Sequence, residues 1–267
     1  MSSIQQHLSQ EHMLDDLFSL EFDNLLNPQE ELLPQDAMWV GNEKPVDIKT
    51  FVEDKDFLGL KGRIYPAIMY SLQNIEREEI RESIMLLGKG SGKTTSLQIY
   101  MLYGMYLLLS MKNPQEYYEL LPETPITTLL VSVSEKQAKS VGFAGIKSMI
   151  DRSPWFKGRY NPLSTEIRFE KHCTLFCGHS GATSWLGFNT VRAAMDETEY
   201  MTDSNNRSVA RELYRALKGS LNTRFPGKYK MLCISSPKNE FSFLNQRFNM
   251  IKSEGTKLEV PTFERER

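Results

Sequence analysis

The sequence predicts an α/β protein in which a mostly parallel sheet is flanked by helices. Apolar, β-branched segments alternate along the chain with segments of helical periodicity, which is the pattern of successive strand–helix–strand units. The 267 residues are 40% hydrophobic and 25% charged, ordinary values for a globular protein with a substantial core. A glycine-rich turn between one such strand and the helix after it indicates where the chemistry of the fold lies.

This turn is "MLLGKGSGKTTS", residues 85–96. Gly92, Lys93 and Thr94 match the end of the phosphate-binding pattern G-x-x-x-x-G-K-[ST]. In that pattern main-chain N–H groups cradle phosphates, the lysine reaches the β- and γ-phosphates, and the hydroxyl binds Mg²⁺. Leu87 stands where the pattern has its first glycine, so the loop either starts one residue late or is a deviant form.

The segments on either side of the turn agree with a nucleotide site. An apolar run at 83–87 predicts a buried strand, and the apolar residues of 94–110 predict a core helix. A chance lysine in a glycine-rich turn would explain neither segment. The loop residues expected to bind nucleotide are Gly88, Gly90, Ser91, Gly92, Lys93, Thr94 and Thr95, with Thr94 also a metal ligand.

Further elements follow along the chain in alternation. A β-branched strand is predicted at Ile126–Val133, and a helix begins near Ser134. The later predictions are one or two strands in 164–178, a strand in 190–201, a helix in 206–219 and a strand in 229–239. Together with the first strand they would form the parallel sheet.

Residues 1–45 are predicted to be a separate acidic arm before the main domain at 46–267. Apolar residues recur in the arm at the spacing of an amphipathic helix, at Leu14, Leu17, Phe18, Phe22, Leu25 and Leu26. Docking onto the body or a neighbouring copy and partial disorder both stay open for this segment. Residues 1–43 hold nine acidic residues and no Lys or Arg, so the net charge of −2 conceals a mildly basic body.

The stretch "HCTLFCGH" at 172–179 has the appearance of a metal site. On a strand, however, Cys173 and Cys177 would lie about 13 Å apart at roughly 3.3 Å per residue, too far for one zinc ion. We expect core cysteines there.

No secretory signal pattern opens the chain, which predicts an intracellular location. Gln98 and Gly104 interrupt the apolar helix in 94–110, which disfavours a membrane span.

A carboxylate pair supplies the second half of the expected chemistry. In "VRAAMDE", Asp196 would lie at the carboxyl end of a strand, facing Thr94 and Mg²⁺, while Glu197 would polarise the attacking water. Another strand ends at "ISSPKN", where small hydroxyls are candidates for sensing the γ-phosphate. A capped turn before a helix is the alternative interpretation of this last segment.

The segments "LLGKGSGKTT", "VSVSEKQAKS", "GFNTVRAAMDETEYM" and "ISSPKN", in this order, resemble the ATPase domain of the large terminase subunit of tailed bacteriophages. The resemblance implies a P-loop NTPase of the additional-strand catalytic-glutamate type that uses ATP and Mg²⁺. It implies that Lys89 also handles phosphates, as a basic residue inside a deviant loop. The implied Walker B pair is Asp196 and Glu197, and the implied coupling motif is Ser235 and Ser236.

The same resemblance implies a role and partners. The domain would drive double-stranded DNA into a procapsid in the host cell cytoplasm, with a portal protein and a small terminase subunit as partners. It would form a homo-oligomeric ring on the portal, be a monomer in isolation, and have no contact with a membrane. The family's RNase H-like nuclease is expected to be absent, because the chain stops at "VPTFERER". Ile68 replaces the glutamine of the family's adenine-reading element, which leaves stacking on Tyr65.

A basic stripe is predicted on the helix in 206–219. Its members fall within about 80° of one another on a helical wheel, and they are Arg207, Arg211, Arg215 and Lys218. We expect the stripe to face DNA or a neighbouring subunit, with a solvated face as the alternative.

Two other functions of the chain also stay open: a helicase-like or remodelling DNA-dependent ATPase, and a P-loop kinase or regulatory nucleotide-binding module.

Overall fold

The computed structural model describes residues 38–42, 44–182, 184–202, 205 and 208–253. All of them except Met38 belong to one compact unit, Trp39–Arg267. The predicted amphipathic helix of the N-terminal arm and the predicted stripe residue Arg207 lie outside the described residues.

One sheet forms the centre of this unit. Its strands are β1 Glu82–Leu86, β2 Ile126–Ser132, β3 Tyr160–Pro162, β4 Glu166–Phe169, β5 Cys173–His179, β6 Thr190–Asp196 and β7 Lys230–Ser235. Their order across the sheet is β1-β7-β6-β2-β5-β4-β3. The first five strands of this order are mutually parallel, and β4 and β3 extend the sheet as antiparallel neighbours.

The sheet order confirms the predicted fold class. Strand β1 leads into the glycine-rich loop, β6 ends in the acidic pair, and β7 is inserted between them. That insertion is the additional strand expected for this class of P-loop protein. Because parallel strands end at the same edge, the carboxyl ends of β1, β7 and β6 bring the predicted chemistry together.

Helices cover the sheet. They are α1 Ile48–Glu53, α2 Pro66–Ile75, α3 Lys93–Ser110, α4 Pro114–Tyr117, α5 Glu135–Gln137 with a π-helical continuation at Ala138–Phe143, α6 Ala144–Arg152, α7 Ala210–Arg224 and α8 Phe243–Ser253. Helix α3 is buried on nearly all sides, which explains its apolar composition. In the described part of the chain, no helix combines the length and apolar character needed to span a bilayer.

The helix predicted at 206–219 has different limits in the structure. Helix α7 begins only at Ala210, because Val209 N–H donates to Met201 O at 3.1 Å and Ser208 pairs with Thr202 in an isolated antiparallel bridge. It continues five residues beyond the predicted end, to Arg224. Leu221 is fully buried in that extra turn, so tertiary packing extends the helix past Gly219.

An arginine inside strand β6 is neutralised by a buried partner. Arg192 Nη1 and Nη2 donate to the two carboxylate oxygens of Glu76, at 2.6 and 2.7 Å, and Nη1 also donates to Tyr100 O at 3.0 Å. The guanidinium lies 4.5 Å from the centre of the Tyr100 ring. The side chain passes α3 at Gly104, where a Cβ would be 2.2 Å from Arg192 Cδ. Gly104 therefore provides the space for a charge in the core.

We predict that Gly104→Ala destabilises the protein, although alanine ordinarily favours a helix over glycine. The new methyl group would displace Arg192 from Glu76, and disrupting a buried ion pair costs roughly 3 kcal/mol or more. Gly219→Ala in α7 is the matched control, because a Cβ there meets nothing within 4 Å, and it should stabilise by about 1 kcal/mol. Thermal or urea unfolding measures both. Equal stabilisation by the two substitutions would contradict this packing.

Candidate nucleotide site

The glycine-rich loop joins β1 to α3 in a conformation that requires glycine. Gly90 and Gly92 have φ angles of 78° and 91°, in the left-handed region that other residues rarely adopt. Ser91 Oγ donates to Gly88 O at 2.7 Å and closes the loop on itself. Gly92 immediately precedes α3, so the loop leads directly into a helix N-terminus, a favourable place for phosphate.

Lys93 is the first residue of α3 and is 9% exposed. Its ammonium donates to Leu87 O at 3.1 Å, to Gly88 O at 3.2 Å and to Ser236 Oγ at 2.8 Å. Glu197 Oε1 lies 3.7 Å from the same nitrogen. One buried cation thus connects the loop to the residues that follow β7 and β6.

The acidic pair at the end of β6 points in two directions. Asp196 is the last strand residue and is 4% exposed, and Gln137 Nε2 donates to its Oδ2 at 3.3 Å. Glu197 has φ 49° and ψ 44°, a left-handed conformation that is strained for a residue with a side chain. This backbone turn directs the Glu197 carboxylate to Ser236, whose N–H donates to Oε2 at 3.2 Å.

Burial and the neighbouring charge of Glu197 raise the pKa of Asp196 to about 6, against smaller lowering effects from Gln137 and Lys93. A buried carboxylate of this kind is stabilised by a cation. Carboxylate and hydroxyl oxygens suit Mg²⁺, which proteins often hold through one or two such ligands together with substrate phosphates. Asp196 and Thr94, the second residue of α3, have donor oxygens of the type that Mg²⁺ prefers, and their role as its ligands stays a prediction.

Two consecutive serines at the end of β7, its last residue Ser235 and the following Ser236, join the ends of β7 and β6. Ser235 is fully buried and its Oγ accepts a hydrogen bond from Glu199 N–H at 3.2 Å. Ser236 accepts from Lys93 through its hydroxyl and donates to Glu197 through its main chain. Both serines lie where the sequence predicted a coupling motif, and their role in coupling stays a prediction.

Three other predicted residues lie at or near the loop. Tyr65, the residue before α2, is 62% exposed, and its Cδ2 would be 3.6 Å from a Cβ at Gly92. The ring therefore borders the phosphate loop, where it could stack on a base. Lys89 is exposed in the loop and has no hydrogen bond or ion pair with other residues in the described ranges. Thr95 lies half-buried in the first turn of α3.

The members of the basic stripe that the structure describes lie on α7, with contacts that do not involve the phosphate loop. Lys218 pairs with Glu82 at the start of β1, and Arg211 Nη2 donates to Gln246 Oε1 of α8 at 3.0 Å. Arg215 is exposed. Contact of this stripe with DNA or another subunit stays a prediction.

Sequence reasoning assigned no role at the site to Gln137 or Glu199. The contact of Gln137 with Asp196 depends on β2 and β6 being neighbours, which a single sequence does not reveal.

The stretch "HCTLFCGH" forms β5, where burial raises the pKa of Cys173 and Cys177 to about 12. Both cysteines are buried, as expected for core residues.

Comparison with known proteins identifies the family. The family described as "Uncharacterized protein MJ0330, N-terminal P-loop domain" matches residues 22–263. The chain belongs to this P-loop family. A relative, the uncharacterized protein MJ0330 of Methanocaldococcus jannaschii, is 26% identical over 164 residues, or 57% of this chain. The matched region spans 28% of that relative's length.

Solved structures share the fold of this P-loop family member. The large terminase of bacteriophage HK97 is 13% identical with a TM-score of 0.57, covering 78% of this chain and 41% of that chain. A variant of the Thermus phage P74-26 large terminase ATPase domain is 15% identical with a TM-score of 0.50, covering 78% and 76%. The DEAD-box helicase Mss116, bound to ssRNA and UDP-BeF, is 13% identical with a TM-score of 0.51, covering 79% and 44%. The P-loop NTPase fold, and the resemblance to terminase ATPase domains at the level of fold, are thus confirmed.

We predict that Asp196→Asn stabilises the metal-free protein. The native carboxyl group has a pKa of about 6, above its usual 3.8, so its ionisation costs native stability as pH rises through this interval. The asparagine should gain up to about 3 kcal/mol near pH 8 and less near pH 5. Urea unfolding with EDTA at both pH values measures the gain.

Asp151→Asn is the control for this experiment, because Asp151 is exposed and paired with Lys147. It should show no gain in stability at either pH. An Asp196→Asn protein that is no more stable than the wild type near pH 8 would show that burial of this carboxylate is not costly.

Proposed function

We propose that the chain is the ATP-hydrolysing motor domain of a viral DNA-packaging terminase, driving double-stranded DNA into a procapsid in the host cell cytoplasm. The observation that carries the hydrolytic part is the contact of Lys93, Glu197 and Ser236 at one edge of the sheet. A phosphate-binding lysine and a candidate water-activating carboxylate share one hydroxyl-bearing residue there. The DNA-packaging part is supported by the order of the sequence motifs and by the fold shared with phage terminases.

The side chains take distinct roles in the proposed reaction. Main-chain N–H groups of the loop and Lys93 bind the β- and γ-phosphates, and Thr94 and Asp196 would hold Mg²⁺. When bound, Mg²⁺ neutralises charge on the phosphate oxygens. Glu197 orients a water whose oxygen forms the new bond to the γ-phosphorus while the bond to the β–γ bridging oxygen breaks, giving ADP and phosphate.

The contacts of the Lys93 ammonium suggest how nucleotide would change the site. The Lys93 ammonium is held by two loop carbonyls and by Ser236. Phosphate oxygens carry full charge and would compete for this cation, since charge-assisted hydrogen bonds are stronger than neutral ones. If Lys93 moved to the phosphates, the Ser236 N–H would still donate to the Glu197 carboxylate. The carboxylate would no longer have the Lys93 ammonium beside it and could orient the water.

A ring of subunits on the portal, with the small terminase subunit as a further partner, is part of the proposal. Many P-loop enzymes need an arginine near the γ-phosphate, worth about 10³ to 10⁵ in rate, and some receive it from another protein. Lys89 lies in the loop, but its ammonium lacks the planar fork of a guanidinium. The isolated domain should therefore be a slow ATPase.

A helicase-like or remodelling ATPase is the second candidate, favoured by the fold shared with a DEAD-box helicase bound to ssRNA and UDP-BeF. Glu197 directly after Asp196 disfavours a P-loop kinase, because a carboxylate that activates water promotes hydrolysis over transfer to another acceptor.

We predict that Lys93→Ala abolishes ATP binding or turnover, while Glu197→Gln retains binding and loses about 10² to 10⁴ in turnover. Lys93 is needed to bind the phosphates, whereas Glu197 acts on water. Phosphate release and titration with a fluorescent ATP analogue separate the two effects. Lys157→Ala and Glu212→Gln, both at exposed positions, are the matched controls and should behave as wild type. Near-normal turnover by Glu197→Gln would remove Glu197 from catalysis.

We also predict that duplex DNA accelerates phosphate release and that turnover rises more than linearly with protein concentration. A duplex-tracking motor should respond to duplex DNA more strongly than to single-stranded DNA or RNA. The measurement compares the three nucleic acids at equal nucleotide concentration, with a strand-separation assay beside it. Preference for single strands with strand separation would favour the helicase-like candidate, and phosphate transfer to a small acceptor would favour a kinase.

A further inference from the structure

Glu199 is a buried carboxylate that the proposed reaction does not use. It lies on a short 3₁₀ turn, Thr198–Tyr200, and is 5% exposed. Its Oε1 accepts hydrogen bonds from Leu244 N–H at 2.6 Å and Asn245 N–H at 3.1 Å, in the first turn of α8. A negative charge that accepts from the first N–H groups of a helix caps it strongly. Glu199 therefore fastens α8 to the turn that follows β6.

The same turn holds the candidate catalytic carboxylate. Glu197 immediately precedes the turn and accepts from Ser236 N–H, while Glu199 donates its own N–H to Ser235 Oγ. The two glutamates thus bond to two consecutive residues at the end of β7. The turn Thr198–Tyr200 is thus bonded both to the end of β7 and to the start of α8. A displacement of the start of α8 would therefore move the turn and, with it, the adjacent Glu197.

Helix α8 also forms one wall of a cleft whose other wall is α7. The cleft has a volume of about 510 Å³. Its basic lining residues are Arg211, Arg215, Lys218 and Arg247. Among the described residues that line it there is no Asp or Glu, and behind it the Glu82 carboxylate accepts from both Lys218 and Arg247. Four cations facing one carboxylate leave the cleft with an excess of positive charge.

The arrangement of these cations suits a linear polyanion. Arg211 contacts only neutral groups among the described residues, the Gln246 amide and the ring of Phe243, whose centre is 5.1 Å away. Arg215 has no hydrogen bond or ion pair with any residue that the structure describes. From Arg211 to Lys218 the basic residues extend over about 10 Å of α7, at 1.5 Å per residue. Guanidinium groups bind phosphate in a bidentate manner.

We propose that the cleft between α7 and α8 binds the phosphate backbone of a nucleic acid, and that Glu199 is the positioning residue that transmits its occupancy to Glu197. The proposal rests on the proposed function, in which a nucleic acid stimulates hydrolysis. Phosphates that draw Arg211 away from Gln246 and Phe243 would release a contact between α7 and α8. Helix α8 then shifts relative to the sheet, and Glu199 carries that shift to the turn at Glu197.

Two sets of variants separate the cleft from the coupling. Arg211→Ala with Arg215→Ala tests the cleft, and its charge-matched control is Arg152→Ala with Lys157→Ala, at exposed positions elsewhere. Glu199→Ala removes the acceptor for α8, whereas Glu199→Gln keeps an acceptor oxygen and should restore most of the coupling. Glu240→Ala is the control for Glu199, because it removes an exposed carboxylate just before α8. Thermal unfolding identifies any variant that fails to fold.

The probe is a double-stranded DNA oligonucleotide, with its affinity measured by fluorescence anisotropy over a range of salt concentrations. The double arginine variant should bind more weakly, and the slope of log affinity against log salt should be shallower by about 2. Glu199→Ala should bind DNA and ATP as tightly as wild type within a few fold, yet lose most of the DNA stimulation of turnover. Both control proteins should match wild type.

Amide hydrogen exchange gives a readout that does not depend on hydrolysis. In wild type, adding DNA should change exchange in α8 and at Ser236 and Glu199, and in Glu199→Ala the change at Ser236 should disappear. DNA-induced exchange that reaches Ser236 in a protein without ATPase activity would contradict the proposed function and leave the coupling intact. Unchanged DNA affinity and salt slope in the double arginine variant would overturn the cleft. Full stimulation of a folded Glu199→Ala protein would overturn the coupling.

Discussion

The hydrogen bonds of the Lys93 ammonium are the interaction on which the site depends. A buried cation needs partners for all its donors, and Lys93 finds them on the phosphate loop and on Ser236, with Glu197 close by. The loop, the end of β7 and the end of β6 therefore meet at one atom. Any ligand that takes this ammonium from Ser236 changes the surroundings of Glu197. Nucleotide binding and water activation are linked at this point in the proposed function.

The order of the strands makes this meeting possible. Strand β7 pairs in parallel with β1 on one side and β6 on the other, so Ser235 lies opposite Leu86 and Ile234 lies opposite Asp196. The inserted strand thus contributes two serines between the lysine and the carboxylates. The end of β7 is also connected to helix α8, because Glu199 bonds to Ser235 through its N–H and to Leu244 through its carboxylate. The Arg192–Glu76 ion pair anchors β6 from within the core.

Local patterns predicted the fold class and singled out the candidate site residues. The loop at Gly92 and Lys93 has a sequence signature because its backbone angles require glycine and its chemistry requires an ammonium. The alternation of strands and helices predicted a parallel sheet, and its order confirmed the additional strand. The partner of Arg192 could not be predicted from the sequence, because Glu76 lies 116 positions away. Glu199 was missed for the same reason: its importance depends on helix α8, which packs against it only in the folded chain.

The central claim is that nucleotide takes the Lys93 ammonium from Ser236 and leaves Glu197 to orient water. A crystal structure with Mg²⁺, ADP and beryllofluoride tests this most directly, because beryllofluoride occupies the position of the γ-phosphate. We expect the Lys93 ammonium to contact beryllofluoride, Ser236 to keep its main-chain bond to Glu197, and an ordered water to lie between Glu197 and beryllium. A Lys93 ammonium still bonded to Leu87, Gly88 and Ser236, with Glu197 turned away from the beryllofluoride, would contradict the account.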